Sequence, residues 1–360
     1  MRVAICSPYL DTFGGGEKYI LNIAEILSNV SEVDLLFDNH LFSMGADSLK
    51  NNLANRFDLD LSKVNVINAP VGKGSNFLKR ASFLKKYDLL FYLTDGSIFY
   101  PTAKRNILHI QSPLIGQPVK SLWGKLKLKG WDLIIYNSNF TKQNCQRFWP
   151  IKSEVIYPPC DVEKINAYSK PLKKKNYILS VGRFFGYLKD KKYELMIDVF
   201  KELFEEKLIN GWSLNLAGSA GEGDTSYLKE LKDKAKGLPV SFYPNLDFKN
   251  LARLYGESSI YWHAAGYQEE DPTKMEHFGI STVEAMAGGC VPIVISKGGQ
   301  VEIIENNVSG ILWNSKEQLK DLTVELIKDP KRMARISKEA RLAAEKFSKE
   351  RFKATILNLV

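Results

Sequence analysis

The chain is short of cysteine and histidine, with four of each among 360 residues, and it has no long apolar run. Cys6, Cys145, Cys160 and Cys290 include no C-x-x-C pair. That spacing excludes a local zinc or dithiol motif and predicts reduced, packed thiols. No apolar stretch approaches the ~20 residues needed to cross a bilayer. Met1 leads into an apolar strand pattern and not into a charged-then-apolar leader, so the expected location is the cytoplasm. Collagen-like repeats, low-complexity tracts and disulfide scaffolds are likewise excluded. What remains, 44% hydrophobic and 25% charged residues, is the composition of a globular protein. At ~100–200 residues per domain the length predicts two domains.

Acidic residues are scarce in one stretch. Residues 1–62 hold 4 Lys/Arg against 9 Asp/Glu, residues 63–152 hold 15 against 3, and residues 153–360 hold 31 against 29, so the net charge of +9 is local. Phe77-Leu-Lys-Arg-Ala-Ser-Phe-Leu-Lys-Lys86 and Lys120-Ser-Leu-Trp-Gly-Lys-Leu-Lys-Leu-Lys129 interleave cations with Phe, Leu and Trp. Such segments suit an anionic membrane surface, which would make the protein peripheral at the inner face of a membrane. A solvated basic face is the plainer alternative. No nucleic-acid reader motif accompanies the charge, so no nucleic-acid partner is expected.

Short apolar runs alternate with helical spacing through both halves. Val3–Cys6, Val33–Phe37, Val64–Ile67, Leu89–Tyr92, Ile107–Ile110 and Leu133–Tyr136 read as buried strands. The pattern stops after Ile156-Tyr-Pro-Pro159 and restarts at Tyr177–Val181, continuing through Ser213–Leu216, Val240–Tyr243, Ile260–Trp262, Val291–Ile295 and Gly310–Leu312. The expected fold class is α/β, with two Rossmann-like, doubly wound parallel-sheet domains facing across a cleft. The predicted boundaries are 1–165, 166–340 and a C-terminal helix at 341–360 that packs back on the N-terminal domain.

Three places carry possible chemistry. Gly14-Gly15-Gly16 precedes a helix and clears side chains from its N-terminus, where N–H groups can approach a phosphate or acceptor. It lacks the G-x-G-x-x-G spacing, which removes support for a nicotinamide enzyme. Strand 177–181 ends in Gly182-Arg183, and Lys191 opens the next helical pattern, so a guanidinium fork and a point charge can clamp a diphosphate. Lys189 and Lys192 compete with Lys191 for that place. In Glu276-His-Phe-Gly-Ile-Ser-Thr-Val-Glu284, residues Phe278, Gly279, Ile280 and Ser281 would present N–H groups at a helix start. Glu284 reads either as the capping-box partner of Ser281 or as an acceptor for ribose hydroxyls. Glu276 would reach sugar hydroxyls from the loop.

Glu276 through Glu284 resembles the E-x7-E motif of retaining family-4-type glycosyltransferases of the GT-B fold. Gly14-Gly-Gly-Glu17, Asn137-Ser-Asn-Phe-Thr141, Val155-Ile-Tyr-Pro-Pro159, Val181-Gly-Arg183 with Lys191, and Gly298-Gly-Gln-Val-Glu302 follow that family's order. The Glu276-His-Phe-Gly-Ile and Ile-Tyr-Pro-Pro versions are similar to those of mannosyltransferases acting on lipid-linked oligosaccharides and bacterial surface polysaccharides. The resemblance implies a metal-independent, retaining transfer of a hexose, with mannose indicated, from a nucleotide sugar such as GDP-mannose to a glycan or lipid-linked acceptor, without a separate cofactor. Arg183 and Lys191 would bind the diphosphate, Glu276 the sugar and Glu284 the ribose, while the amides of Phe278 to Ser281, with Gly15 and Gly16, seat phosphate and sugar. No side chain acts as nucleophile in this scheme. The donor phosphate takes the acceptor proton, so the protein supplies position and charge stabilisation.

One departure concerns a family histidine, where this chain has Gln111-Ser-Pro113 with His109 two residues earlier on the same strand face. Either His109 substitutes or Gln111 fills the role; His109 reads equally as a hydrogen-bonded core histidine. His277 reads as facing the sugar or as local packing, His263 as lining the cleft, and His40 as a loop residue. Asp58-Leu-Asp60 has the D-x-D form of metal sites but sits in a charged loop, and no metal is expected there. Glu269-Glu-Asp271 reads as a solvated loop near Glu276. The competing functions are a sugar-nucleotide epimerase or phosphorylase of the same fold, and a binding module that uses residues 63–152.

Overall fold

The computed structural model describes residues 1–12, 14–72, 74–116 and 121–360; Lys120, the first residue of the second basic segment, lies outside them. The chain divides into two compact units, residues 1–159 with 350–360, and residues 160–349.

The first unit carries a seven-stranded sheet of β1 (Arg2–Cys6), β2 (Glu32–Phe37), β3 (Val64–Asn68), β4 (Leu89–Leu93), β5 (Arg105–Ile110), β6 (Leu133–Tyr136) and β7 (Ser153–Val155). The order is β3-β2-β1-β4-β5-β6-β7, and every pairing is parallel. Helices cover both faces, so central strands such as β4 are buried at every residue and read as unbroken apolar runs. β7 escapes the sequence pattern because Ser153-Glu-Val155 is short and half polar. Helix Gly15–Leu27 buries Tyr19, Ile20, Ile23, Ile26 and Leu27 on one face of the sheet. On the other face helices Phe77–Leu84 and Leu122–Leu128 bury Leu84 and Leu128 in a cluster with Leu90, Ile134, Tyr136 and Trp149.

The second unit carries β8 (Lys175–Val181), β9 (Ser213–Gly218), β10 (Val240–Pro244), β11 (Ser258–His263), β12 (Val291–Ile295) and β13 (Ile311–Trp313), ordered β10-β9-β8-β11-β12-β13 and again parallel. Trp262 and Trp313 are fully buried, and the Trp262 indole N–H donates to Thr323 Oγ1 at 3.1 Å. In both sheets the strand order reverses beside the first strand of the unit, between β1 and β4 and between β8 and β11. Open α/β folds form their ligand crevice outside the carboxyl ends of the strands at such a reversal.

Three expectations change. The division falls at Pro159/Cys160 and not at 165. The terminal segment is two helices, because Pro330–Ala344 continues through a turn of 3-10 helix at Glu345–Phe347 and breaks before Lys349–Leu359. Only the second of these belongs to the first unit, where Phe352 and Ile356 enter the core beside Tyr19 and the Arg105 guanidinium donates to the Leu359 carbonyl. His40 lies in helix Asn39–Ser43 and not in a loop. The four cysteines are buried and unbridged. Among the described residues no helix is long and apolar enough to cross a membrane.

Candidate active site

At the β8/β11 reversal of the second unit, polar groups from three connections and the end of β11 meet. Lys191, on the connection after β8, donates to Glu276 Oε2 at 2.7 Å. His263, the last residue of β11, donates from Nε2 to the same oxygen at 2.9 Å. Glu276 lies between β11 and helix Ile280–Ala287, and its backbone carbonyl accepts from the Gly299 N–H, after β12, at 2.8 Å. One carboxylate is therefore gripped by a cation and an imidazole through its side chain and by a third connection through its backbone.

Glycines make this convergence possible. A Cβ on Gly182 would stand 2.8 to 3.0 Å from the Lys191 stem, so the bare glycine lets that stem pass toward Glu276. Gly298, at φ +63, would place a Cβ 2.2 Å from the Glu276 carbonyl oxygen. Gly218, which carried no sequence signal, would place one 1.6 Å from the carbonyl oxygen of Gly182, beside Arg183.

The neighbouring lysines sort themselves. Lys189 Nζ is tied to Glu230 at 2.9 Å and Lys192 Nζ to Glu269 at 2.6 Å, which leaves Lys191 as the lysine of the three that reaches Glu276. Glu269 is thus not a free solvated carboxylate, and its backbone carbonyl also accepts from Lys297 Nζ at 2.7 Å. Arg183 is exposed, its guanidinium carbon 4.6 Å from the centre of the Phe185 ring, and its charge acts on Lys191. Burial pushes the Glu276 carboxyl up, but Lys191 and His263 outweigh it and hold the group well below the usual carboxylate range. Burial pushes Lys191 down, and Glu276 and Asp190 more than restore it. The pair stays ionised at neutral pH.

Helix Ile280–Ala287 begins at Ile280 with Gly279 as N-cap at φ 121. Ser281 is therefore inside the helix and cannot form a capping box with Glu284. Its Oγ accepts from the Tyr261 hydroxyl at 2.8 Å, and Glu284 accepts from the Tyr255 hydroxyl at 3.1 Å. Ile280 and Ser281 occupy the first turn, whose N–H groups have no partner within the helix. Phe278 is buried against Phe347, with ring centroids 5.4 Å apart, so its side chain is structural. His277 Nε2 lies 3.3 Å from the Thr273 carbonyl, a contact within its own loop.

The remaining candidates lie in the first unit. The Gly14 N–H donates to Glu17 Oε2 at 2.6 Å, Gly15 opens the helix, and a Cβ on Gly16 would collide with the Gln111 amide at 2.1 Å. Of the two readings of His109, catalytic candidate and hydrogen-bonded core histidine, its surroundings fit the second. It is fully buried, stacked on Tyr19 with centroids 3.9 Å apart, and 3.1 Å through Nδ1 from the Ile135 carbonyl. Of the two residues weighed for the family histidine, only Gln111 is part-exposed; it directly follows β5, with its side-chain amide against Gly16. Asp60 Oδ1 accepts from its own loop at Ser62, and Asp58 ends helix Ala46–Phe57. Among the described residues no group of three or more His, Cys, Asp or Glu side chains forms a candidate metal set.

Two Rossmann-like parallel-sheet units define an α/β protein of the GT-B class, and the second unit holds an ionised cation–carboxylate cluster at its strand-order reversal. The chain belongs to the glycosyl transferases group 1 family, whose model matches residues 161–343. It is 27% identical over 247 residues to the human GDP-Man:Man(3)GlcNAc(2)-PP-Dol alpha-1,2-mannosyltransferase, covering 64% of this chain and 48% of that protein. The chain spans about half the length of the curated relatives it matches. A glycosyltransferase of Rickettsia africae superposes with a TM-score of 0.75 at 18% identity, over 99% of this chain and 97% of that one. Anabaena HepE, solved with UDP and glucose, gives 0.67 at 18% identity over 100% and 99%.

Proposed function

We propose that the chain transfers a hexose from a nucleotide-sugar donor, with retention of anomeric configuration and without a metal, and that the donor is GDP-mannose and the acceptor a lipid-linked glycan. The observation that carries this reading is Glu276 held ionised by Lys191 and His263 at the carboxyl ends of β8 and β11. The donor site is built from the second unit. Arg183 and Lys191 meet the diphosphate, the first-turn N–H groups of Ile280 and Ser281 meet a phosphate oxygen, Glu276 accepts from sugar hydroxyls and Glu284 from the ribose.

Charge develops on the leaving diphosphate as the glycosidic bond breaks. Fixed cations and helix N–H groups stabilise that charge without reorganising, which is the largest contribution such a site makes. Lys191 serves the donor while compensated by Glu276, so the empty site does not hold an unpaired buried cation. The mannose and lipid-linked assignments take their support from the alpha-1,2-mannosyltransferase activity of the similar human enzyme and from the Glu276-His-Phe-Gly-Ile280 motif.

Incubating the protein with a panel of labelled nucleotide sugars and a lipid-linked oligosaccharide extract tests the proposal. Incorporation from GDP-mannose, abolished by Glu276→Ala, is expected. Conversion of the nucleotide sugar without any acceptor overturns it in favour of an epimerase.

A further inference from the structure

The first unit carries a surface that the transferase reading leaves unused. Leu122 is 82% exposed, Trp123 72% and Leu126 48%, all on helix Leu122–Leu128; Leu78 is 72% exposed and Phe77 52% on helix Phe77–Leu84. Each helix turns its other side inward, burying Leu128 or Leu84 in the same core cluster, so both lie on one face of the sheet. In a parallel crossover the helix starts beside the carboxyl end of the preceding strand, so these exposed first turns gather toward the carboxyl edge of the sheet. A soluble face that served only solubility would not concentrate large apolar side chains in this way.

The charges on these two helices have one sign. Lys79, Lys125, Lys127 and Lys129 lie on or directly after the two helices, while the 90 residues from 63 to 152 contain Asp88, Asp95 and Asp132 as their three acids. Each acid is engaged elsewhere. Asp88 pairs with Lys104 at 2.7 Å, Asp95 Oδ1 accepts from the Ser97 N–H at 2.9 Å, and Asp132 accepts from the Asn106 N–H at 2.7 Å. The four lysines are left without an ion pair among the described residues.

We propose that this face docks on an anionic phospholipid bilayer, with Trp123 and Leu122 inserted at the headgroup boundary and the lysines on lipid phosphates. Tryptophan suits that depth because its ring is apolar and its N–H polar. The lysines supply attraction that apolar insertion alone lacks, and the combination of two weak signals gives reversible binding. The surface lies wholly in the first unit and does not rest on the donor-site reading.

Trp123 makes the test direct, because the other five tryptophans, at positions 131, 149, 212, 262 and 313, are at most 8% exposed. The whole protein is mixed with phosphatidylcholine vesicles with and without about one third phosphatidylglycerol, and co-sedimentation and intrinsic emission are recorded. Binding to the anionic vesicles at low salt with a blue shift is expected, and added salt should weaken it. A Leu122→Ser/Trp123→Ser double variant should lose the shift, and Lys125→Glu/Lys127→Glu should bind about tenfold more weakly or worse. Near-UV circular dichroism checks that both stay folded. The proposal is overturned by absence of sedimentation at low salt, by binding that leaves Trp123 emission unmoved, or by lipid-free self-association that the double variant abolishes. Transfer to a water-soluble acceptor should survive in both variants, which separates failure of this surface from failure of the donor site.

Discussion

Lys191 Nζ and Glu276 Oε2 lie 2.7 Å apart although 85 residues separate them in the chain. The contact joins the connection after β8 to the connection after β11, two strands that are neighbours in the sheet but not in sequence. His263 shares the same carboxylate oxygen, so removal of any of the three takes a hydrogen-bond partner from this cluster.

Replacing Glu276 by Gln keeps the shape and removes the charge. A fall in kcat of about 100-fold to 1,000-fold is expected from the loss of a preorganised charged group at the reacting sugar. Loss of the ion pair should also cost about 1–3 kcal/mol of stability, less than for a fully buried pair because both side chains keep about one fifth of their exposure. Steady-state kinetics and urea unfolding measure the two effects, and an unchanged kcat would remove Glu276 from the site.

The same pair makes a prediction about acid stability. Glu276 ionises more readily in the folded chain than in the unfolded one, so its contribution is complete above the ordinary value of 4.5 and disappears as pH falls through the lower folded value. In Lys191→Met the carboxyl loses its counter-charge, and the acid limb of the stability curve should move to higher pH. Denaturant midpoints collected from pH 7 to pH 3 for both proteins decide this; superimposable limbs would sink it.

Arg183→Ala should raise the donor KM with little change in the melting temperature, because Arg183 is exposed and lies over the Phe185 ring. Arg183→Lys should recover only part of the affinity, since a point charge cannot supply the bidentate fork. Equal affinity for the nucleotide diphosphate in wild type and Arg183→Ala, measured by calorimetry, contradicts the assignment.

Burial pushes His109 down to about 3 from an ordinary 6.5, so it is neutral in the fold while the unfolded chain takes up a proton. Stability should therefore fall as pH drops below 6.5, and the loss ends near pH 3, where both states are protonated. His109→Phe keeps the stack on Tyr19 and should flatten this slope, at a cost of about 1 kcal/mol for the contact to the Ile135 carbonyl. A slope that persists in the variant assigns the pH dependence to other groups.

Gly298→Ala introduces a Cβ that meets the Glu276 carbonyl oxygen and must hold a left-handed backbone. Displacement of the Glu276 loop should lower kcat about tenfold or more while the remaining fold persists. Kinetics and circular dichroism on the same preparation check it, and full activity would show that the loop tolerates the shift.

Much of this protein was legible in its sequence. Apolar runs flanked by turn residues marked β1 to β6 and β8 to β13; central strands such as β4 and β12 are buried on both faces and so apolar throughout, while the edge strands β3 and β10 are part-exposed and more polar. The short, half-polar β7 gave no such mark. Spacing within one connection also placed Gly182, Arg183 and Lys191 near a strand end, and Glu276 and Gly279 ahead of a helix. Spacing alone could not choose among Lys189, Lys191 and Lys192, since each is a lysine in one loop, and only the family resemblance picked Lys191; their partners Glu230, Glu276 and Glu269 come from distant segments and became neighbours only when the sheet formed. Nor could sequence choose between a catalytic and a core His109, for the same reason. Its strand position was read correctly, but burial against Tyr19 depends on how helix Gly15–Leu27 packs across β5. Local periodicity fixes which residues become strand or helix, whereas the charge state and partner of each polar group are set by non-local packing that excludes water and brings sequence-distant charges within hydrogen-bond reach.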